Sequence, residues 1–195
     1  LYWFLMGAAA IAGMIPILWT YFLEDYQRNR ILAPYDPSID PTNQGINWQP
    51  HQAKIAIASG GLTGTGLGEG TQSQSNAIPG KHTDFIFAVV GEELGLIGAC
   101  LVILLLMIIV IRCVQIGLRS GNTMSMLVCF GVASTVVFQT FENIGMCIGI
   151  APVVGITLPF FSYGGSSLFS MFAAMGLVSG IKYRPKPTRA AIYGR

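Results

Sequence analysis

The densest polar cluster in the chain is Lys81-His82-Thr83-Asp84, and it ends where a long apolar run begins. A carboxylate beside a low-dielectric wall can hold a raised pKa and take a proton from a hydroxyl. Asp84 is therefore a candidate general base at a membrane–water boundary. The same residues also suit a helix start, with Thr83 or Asp84 as N-cap and the carboxylate favoured by the helix dipole. The two roles can coexist. Glu92 and Glu93 lie about two turns further on. Ionisable groups inside a bilayer are costly and point first to function. The structural alternative is pairing with Lys54, Lys81 or an arginine from a missing part. Glu142, at the outer end of a later apolar run, is expected to face headgroups.

Two glycine-bearing stretches also matter. Gly60-Gly61-Leu62-Thr63-Gly64-Thr65-Gly66-Leu67-Gly68-Glu69-Gly70 matches neither GxxxxGK[ST] nor GxGxxG. It reads as a flexible loop with close backbone approach, or as a set of N–H groups able to cradle a phosphate. Ser162-Tyr163-Gly164-Gly165-Ser166-Ser167 opens the last apolar run. Its small residues suit close helix packing, or its N–H groups can meet an anion at a helix start. No cluster has metal-ligand spacing. Cys100, Cys113, Cys129 and Cys147 sit in or beside apolar runs without CxxC spacing, which excludes a disulfide scaffold or zinc pattern.

The elements that must position these groups follow from composition. Of 195 residues, 52% are apolar and 10% charged, against roughly 25% charged in soluble domains. Mean hydropathy is +0.59. A disordered chain is excluded, and a net charge of +2 gives no nucleic-acid signal. Charge is absent from 1–23, 94–111, 123–141 and 143–181. A bilayer core of about 30 Å needs roughly 20 apolar residues as helix. The expected fold is an all-α polytopic membrane protein with about four spans: 1–23 (kinked at Pro16), 85–111, 123–142 and 163–181. Pro152, Pro159 and several glycines interrupt 143–162, which reads as a re-entrant or surface-lying segment. Arg112 and Arg119, and Lys182, Arg184, Lys186, Arg189 and Arg195, put 112–122 and 182–195 in the cytoplasm. That leaves 24–84 outside as a long loop with short helices, one near Gln52–Ser59. Loops of that length are usually functional. The first run lacks a basic n-region and cleavage site, so it reads as a span rather than a signal peptide. The chain opens with Leu inside an apolar run, so an N-terminal part of a longer protein is expected to be missing.

Gln52-Ala-Lys-Ile-Ala-Ile-Ala-Ser-Gly-Gly61, Gly70-Thr-Gln-Ser-Gln74, His82-Thr-Asp-Phe-Ile-Phe-Ala88 and Gly91-Glu-Glu-Leu-Gly95 occur in that order. Asn143-Ile-Gly-Met146, Pro152-Val-Val-Gly155 and Leu158-Pro-Phe-Phe-Ser-Tyr-Gly-Gly-Ser-Ser167 follow. Together they resemble the SEDS family of bacterial shape, elongation, division and sporulation proteins. Tyr26-Gln27 and Asp36-Pro37 extend the match upstream. Gly70–Gln74 and the stretch from Lys54 look closer to RodA, the elongation member, than to FtsW, the division member. Where the family often has Pro-Glu, this chain has Pro79-Gly80.

The resemblance implies a ten-helix membrane protein of which this chain supplies about the last four helices. It implies a peptidoglycan glycosyltransferase that polymerises lipid II at the outer face of the cytoplasmic membrane. Asp84 matches the family's functional aspartate. Lys54, Ser59, Gly60, Gly61, Gln72, Gln74, Lys81, His82, Thr83, Ser162, Tyr163, Gly164, Gly165 and Ser166 become candidate substrate-binding residues, with Glu92 and Glu93 as supporting intramembrane acids. Part of the cavity should come from the absent helices, so activity of this chain alone is not implied. In the expected mechanism Asp84 takes the proton of a sugar 4-hydroxyl, and undecaprenyl pyrophosphate leaves. That leaving group needs cations or N–H donors, for which Lys54, Lys81 and the Gly60–Gly70 backbone are candidates. No cofactor is required; a divalent cation is an open candidate. The implied partners are a class B penicillin-binding protein and other elongation or division machinery. Gly91, Gly95 and Gly98, or the 123–142 helix, can pack on a partner or within the protein. Two other functions remain on the residues alone: a lipid II flippase or transporter, favoured by acids in a span and a Pro/Gly-broken segment, and a non-catalytic membrane scaffold.

Overall fold

The computed structural model describes residues 2–75 and 78–183. The chain is all-α: α1 (Tyr2–Ile17), α2 (Asp25–Leu32), α3 (Trp48–Gly60), α4 (Thr71–Gln74), α5 (Ile86–Glu93), α6 (Gly95–Arg119), α7 (Thr123–Ile148) and α8 (Gly165–Tyr183). Among the described residues, three helical stretches are long and apolar enough to cross a membrane: Leu5–Phe22, Gly95–Arg119 and Thr123–Ile148. The chain is a multi-spanning membrane protein. At 19 residues α8 has nearly the required length, roughly 28 Å at ~1.5 Å per residue, but its serines and glycines dilute its apolar character. The basic tail expected over 182–195 lies mostly outside the described residues.

The first span is not one uniform helix. Pro16 lacks an N–H for the helical ladder, and after it the chain widens into a π-helical turn over Leu18–Phe22. Leu23 N–H closes this turn on Leu18 O at 3.1 Å.

The span expected over 85–111 is broken. α5 stops at Glu93, and α6 restarts at Gly95, whose φ of +67° suits glycine. Such a break orphans backbone groups unless something pairs with them. The glycine-rich stretch does so. Thr65 and Gly66 N–H donate to the carbonyls of Glu92 and Glu93, at 3.0 and 3.2 Å. Leu96 and Ile97 N–H donate to those of Gly61 and Leu62, at 2.9 and 3.2 Å. A Cβ at Gly60 or Gly64 would collide with the facing backbone of α5.

The third span does not stop at the boundary expected between Glu142 and Asn143. Both residues are buried, and α7 continues through them to Ile148. It ends at Gly149, whose left-handed φ of 72° lets its amide reach the carbonyls of Gly145 and Met146. The irregular segment expected from 143 therefore starts only at Gly149 and runs to Gly164.

α6 and α7 form an antiparallel hairpin whose turn is capped by Asn122, its side chain accepting from Met124 N–H at 2.9 Å. One core joins Ala53 and Ala56 of α3, Phe87 and Ala88 of α5, Val102 and Leu106 of α6, Val136 and Met146 of α7, and Leu158. A second, at the other end of the hairpin, joins Cys113, Cys129 and Ala133 to Val178 of α8. The remaining faces of α6 and α7 leave large apolar side chains such as Leu104, Met107 and Phe138 exposed, as helices in lipid do. The helix anticipated near Gln52–Ser59 is α3. Before it, the loop after α2 is shaped by buried Asp40, which accepts from the N–H groups of Gly45 and Asn47 at 2.9 and 3.0 Å. The Asn47 N–H, with help from Gly45, holds its carboxyl below the usual carboxylate range against the opposing effect of burial.

Candidate active site

Asp84 sits in a tight turn in which the N–H groups of Thr83, Asp84 and Phe85 all donate to Gly80 O, at 3.0, 3.0 and 3.1 Å. Gly80 makes this possible with a φ of +73°. The helix-cap alternative is not what forms. The N-cap of α5 is Phe85, without a side-chain cap. Thr83 Oγ1 donates back to Gly80 O at 3.2 Å. The half-buried Asp84 carboxylate has no hydrogen bond or ion pair among the described residues. Its main chain, in contrast, is tied down. Asn143 Nδ2 donates to Asp84 O and to Ile156 O, both at 2.7 Å. Gly155 lies beside the carboxylate: a Cβ there would be 3.4 Å from Asp84 Oδ2, and its φ is +76°.

The segment after α7 wraps onto this turn. Ser162 Oγ donates to Thr83 O at 2.6 Å and accepts from Leu158 N–H at 2.7 Å. Tyr163 N–H donates to His82 O at 2.8 Å. Thr157 and Ser167 share a hydroxyl–hydroxyl bond of 2.9 Å. His82, Thr83, Asp84, Ser162 and Tyr163 thus come together, with Gly164, Gly165 and Ser166 opening α8 beside them. The side chains of His82 and Tyr163 are exposed.

A cavity of about 320 Å³ adjoins the start of α8, lined by Gln139, Thr157, Ser166, Ser167, Ser170 and Met171. Gln139 Oε1 is buried and has no hydrogen-bond partner among the described residues. Sequence reasoning did not single out Gln139 or Asn143 as site residues. A signal existed, because they are the two carboxamide side chains within α7, and a polar group in an apolar helix needs a partner.

The remaining candidates are dispersed. Lys81 Nζ donates to Ser73 O at 2.6 Å, tying the Asp84 turn to α4. Lys54 is exposed on α3 and packs over Gly149, at a separate cavity of about 240 Å³ that also includes Asn47 and His51. It has no ion pair or hydrogen bond among the described residues. Ser59 Oγ donates to Ala56 O of its own helix at 2.7 Å. Gly60 packs on the α5–α6 break and Gly61 pairs with Leu96 there. The amides of Gly64, Thr65, Gly66 and Glu69 already donate to carbonyls, so this part of the glycine stretch is a structural clasp rather than an open phosphate cradle. Gln74 is exposed, whereas Gln72 Oε1 is buried without a partner.

Glu92 and Glu93, expected as supporting intramembrane acids, end α5. Both precede the Gly95–Arg119 span. Glu92 is fully buried, and its carboxylate accepts from Gln72 N–H at 2.8 Å, Ser73 N–H at 2.7 Å and Thr71 Oγ1 at 3.4 Å. It sits over the positive end of α4. Glu93 accepts from Ser73 Oγ at 3.0 Å. Neither pairs with Lys54 or Lys81. Glu142 is buried rather than turned to headgroups. Among the described residues, no group of three or more His, Cys, Asp or Glu side chains is placed to hold a metal ion.

Comparison with known proteins agrees with the sequence resemblance. Residues 1–186 match the family model of FtsW, RodA and SpoVE, described as cell cycle proteins. Over 181 residues the chain is 44% identical to the peptidoglycan glycosyltransferase MrdB of Escherichia coli K12, covering 92% of this chain and 48% of that protein. It is 41% identical to the probable peptidoglycan glycosyltransferase FtsW of Geobacter metallireducens, covering 91% and 48%. The chain spans about half the length of the curated relatives it matches. A solved structure concerned with structural coordination of polymerization and crosslinking by a peptidoglycan synthase complex superimposes with a TM-score of 0.68. Its sequence identity is 32%, and the match covers 93% of this chain and 49% of that one. The family match along nearly the whole chain, and a shared fold at that identity, show that the chain belongs to the FtsW/RodA/SpoVE family.

Proposed function

We propose that this chain forms part of a RodA-type peptidoglycan glycosyltransferase that polymerises lipid II at the outer face of the bacterial cytoplasmic membrane. The observation that carries the reading is the contrast at Asp84: a main chain fixed by Asn143 and Gly80, and a carboxylate left without a partner among the described residues. An acid held in place but uncommitted is what proton abstraction requires. Asp84 takes the proton of the sugar 4-hydroxyl of one lipid-linked disaccharide. That oxygen attacks the anomeric carbon of a second, the bond to the pyrophosphate breaks, and undecaprenyl pyrophosphate leaves with the electron pair. Lys54, a cation without a hydrogen bond or ion pair among the described residues, is the candidate in this chain for meeting that charge. Lys81 acts through α4 and the turn. The irregular segment 149–164 and the loop 24–84 form the outer side, and the α6–α7 turn and the end of α8 the inner side. The likeness to a chain of a peptidoglycan synthase complex supports a cross-linking partner of the class B penicillin-binding type.

The test is lipid II polymerisation by the full-length protein with its partner in detergent, comparing wild type with Asp84→Asn. Polymer should fall by about 10²–10⁴-fold, with thermal stability unchanged because the carboxylate has no partner among the described residues to lose. Equal polymer from both would remove Asp84 from the chemistry. Lipid II movement in liposomes without polymer would favour a flippase.

A further inference from the structure

α6 leaves the Glu93 end of the bundle and finishes at Arg119, α7 starts beside it at Thr123, and α8 returns to Tyr183. At this end, away from Asp84, a groove of about 930 Å³ opens between α6, the α6–α7 turn and α8. Arg112, Arg119 and Lys182 line it, with Ser179 as a hydroxyl donor and Met175, Val178 and Ile181 as apolar wall.

Nothing in the described chain neutralises these cations. Every Asp and Glu precedes residue 94 except Glu142, which lies near the far end of α7. The one ion pair among the described residues is Arg28–Asp25, at 3.4 Å. Arg112 reaches the neutral Gln115 at 3.5 Å, and Lys182 lies 5.2 Å from the Tyr183 ring centroid. Arg119 has no hydrogen bond or ion pair among the described residues. Three like charges around one groove repel one another until an anion enters. The chemistry of the walls narrows the choice of anion. Leu118 on the groove wall is exposed, as is Leu177 next to Val178 on α8, so the occupant carries hydrocarbon as well as charge. A soluble anion would leave that surface bare.

We propose that the groove binds the phosphodiester headgroup of an anionic phospholipid, with the acyl chains lying along α6 and α8. Basic pockets between transmembrane helices take such headgroups, with about 1 kcal/mol, or roughly fivefold in affinity, from each cation. The site is separate from the Asp84 chemistry and does not depend on it.

The experiment is native mass spectrometry of the full-length protein in detergent, titrated with dioleoylphosphatidylglycerol and, as control, dioleoylphosphatidylcholine. Phosphatidylglycerol should be retained and phosphatidylcholine lost. Arg112→Gln, Arg119→Gln and Lys182→Gln should each weaken retention about fivefold, and the triple variant about a hundredfold. Arg119→Lys should keep most of the affinity, and Arg28→Gln with Arg30→Gln should change nothing. The single variants decide the matter if the triple variant does not fold. Wild-type retention in all three single variants would overturn the proposal, as would equal loss from the Arg28/Arg30 variant. Displacement of the lipid by equimolar inorganic phosphate would also overturn it, in favour of a soluble anion site.

Discussion

Asn143 gives both amide hydrogens to main-chain carbonyls, one of Asp84 and one of Ile156. It therefore sets the distance between the Asp84 turn and the segment carrying Gly155, and it touches no carboxylate oxygen itself. Removing it leaves two carbonyls unpaired, at a cost of about 1–3 kcal/mol each. It also frees the turn to drift, and a misplacement of about 1 Å can cost ~10²-fold in rate. Asn143→Ala should lower both polymerisation, by about 10²-fold, and melting temperature, whereas Asp84→Asn should lower polymerisation alone. Asn143→Asp should behave like the alanine variant, because a carboxylate has no hydrogen to donate. Parallel turnover and melting curves on the three variants check this; a normally stable, inactive Asn143→Ala would assign Asn143 to the chemistry instead. At this scale the sequence was informative about Asp84, since an acid in His-Thr-Asp-Phe at the edge of an apolar run suits proton transfer. It left the cap alternative open because Thr and Asp serve both roles. The Gly80 carbonyl, which collects three amides and pushes the helix start on to Ile86, closes that alternative.

Among the elements, the short helix α4 depends on an acid 20 residues away along the chain. Glu92 holds the N–H groups of Gln72 and Ser73, and hydrogen bonds to a charged acceptor are worth about 1.5–3 kcal/mol each. Glu92→Ala should therefore destabilise the protein by roughly 3 kcal/mol or more. Glu92→Gln should recover part of that loss, because its amide oxygen still accepts. Calorimetry in detergent, with hydrogen exchange at Gln72 and Ser73, measures this; unchanged exchange there would exclude the cap. These elements were hard to read locally. The run 85–111 looks like one span because apolar residues flank Glu92-Glu93, and the groups that satisfy the break at Gly95 come from 61–66. Asn143 looks like the start of an irregular segment for a parallel reason. It is helical because packing on the Asp84 turn buries it and pairs it with two carbonyls.

For the whole molecule, antiparallel α6 and α7 put the turn at 120–122 at one end and the Asp84 site at the other. The proposed orientation makes the first of these cytoplasmic. In a Cys100→Ser background, cysteine at Gln44 should react with an impermeant maleimide on intact cells. Cysteine at Met124 should react only after permeabilisation. Both positions are exposed. The reverse pattern would place Asp84 on the wrong face for an outer polymerase.

The sequence by itself determined that this is a helical membrane protein. A backbone in lipid must satisfy its own hydrogen bonds, and uncharged runs of span length leave helix as the local answer. It also determined the family, because each of those motifs is contiguous, and it made Asp84 the candidate base. Only the tertiary structure decided that Glu92 caps α4, that the glycine stretch clasps a helix break, and that Asn143 and Ser162 hold the Asp84 turn. Those bonds join residues 59 and 79 positions apart in the last two cases. A polar group's role there depends on which distant carbonyl or amide the packing brings to it, and no local pattern carries that information.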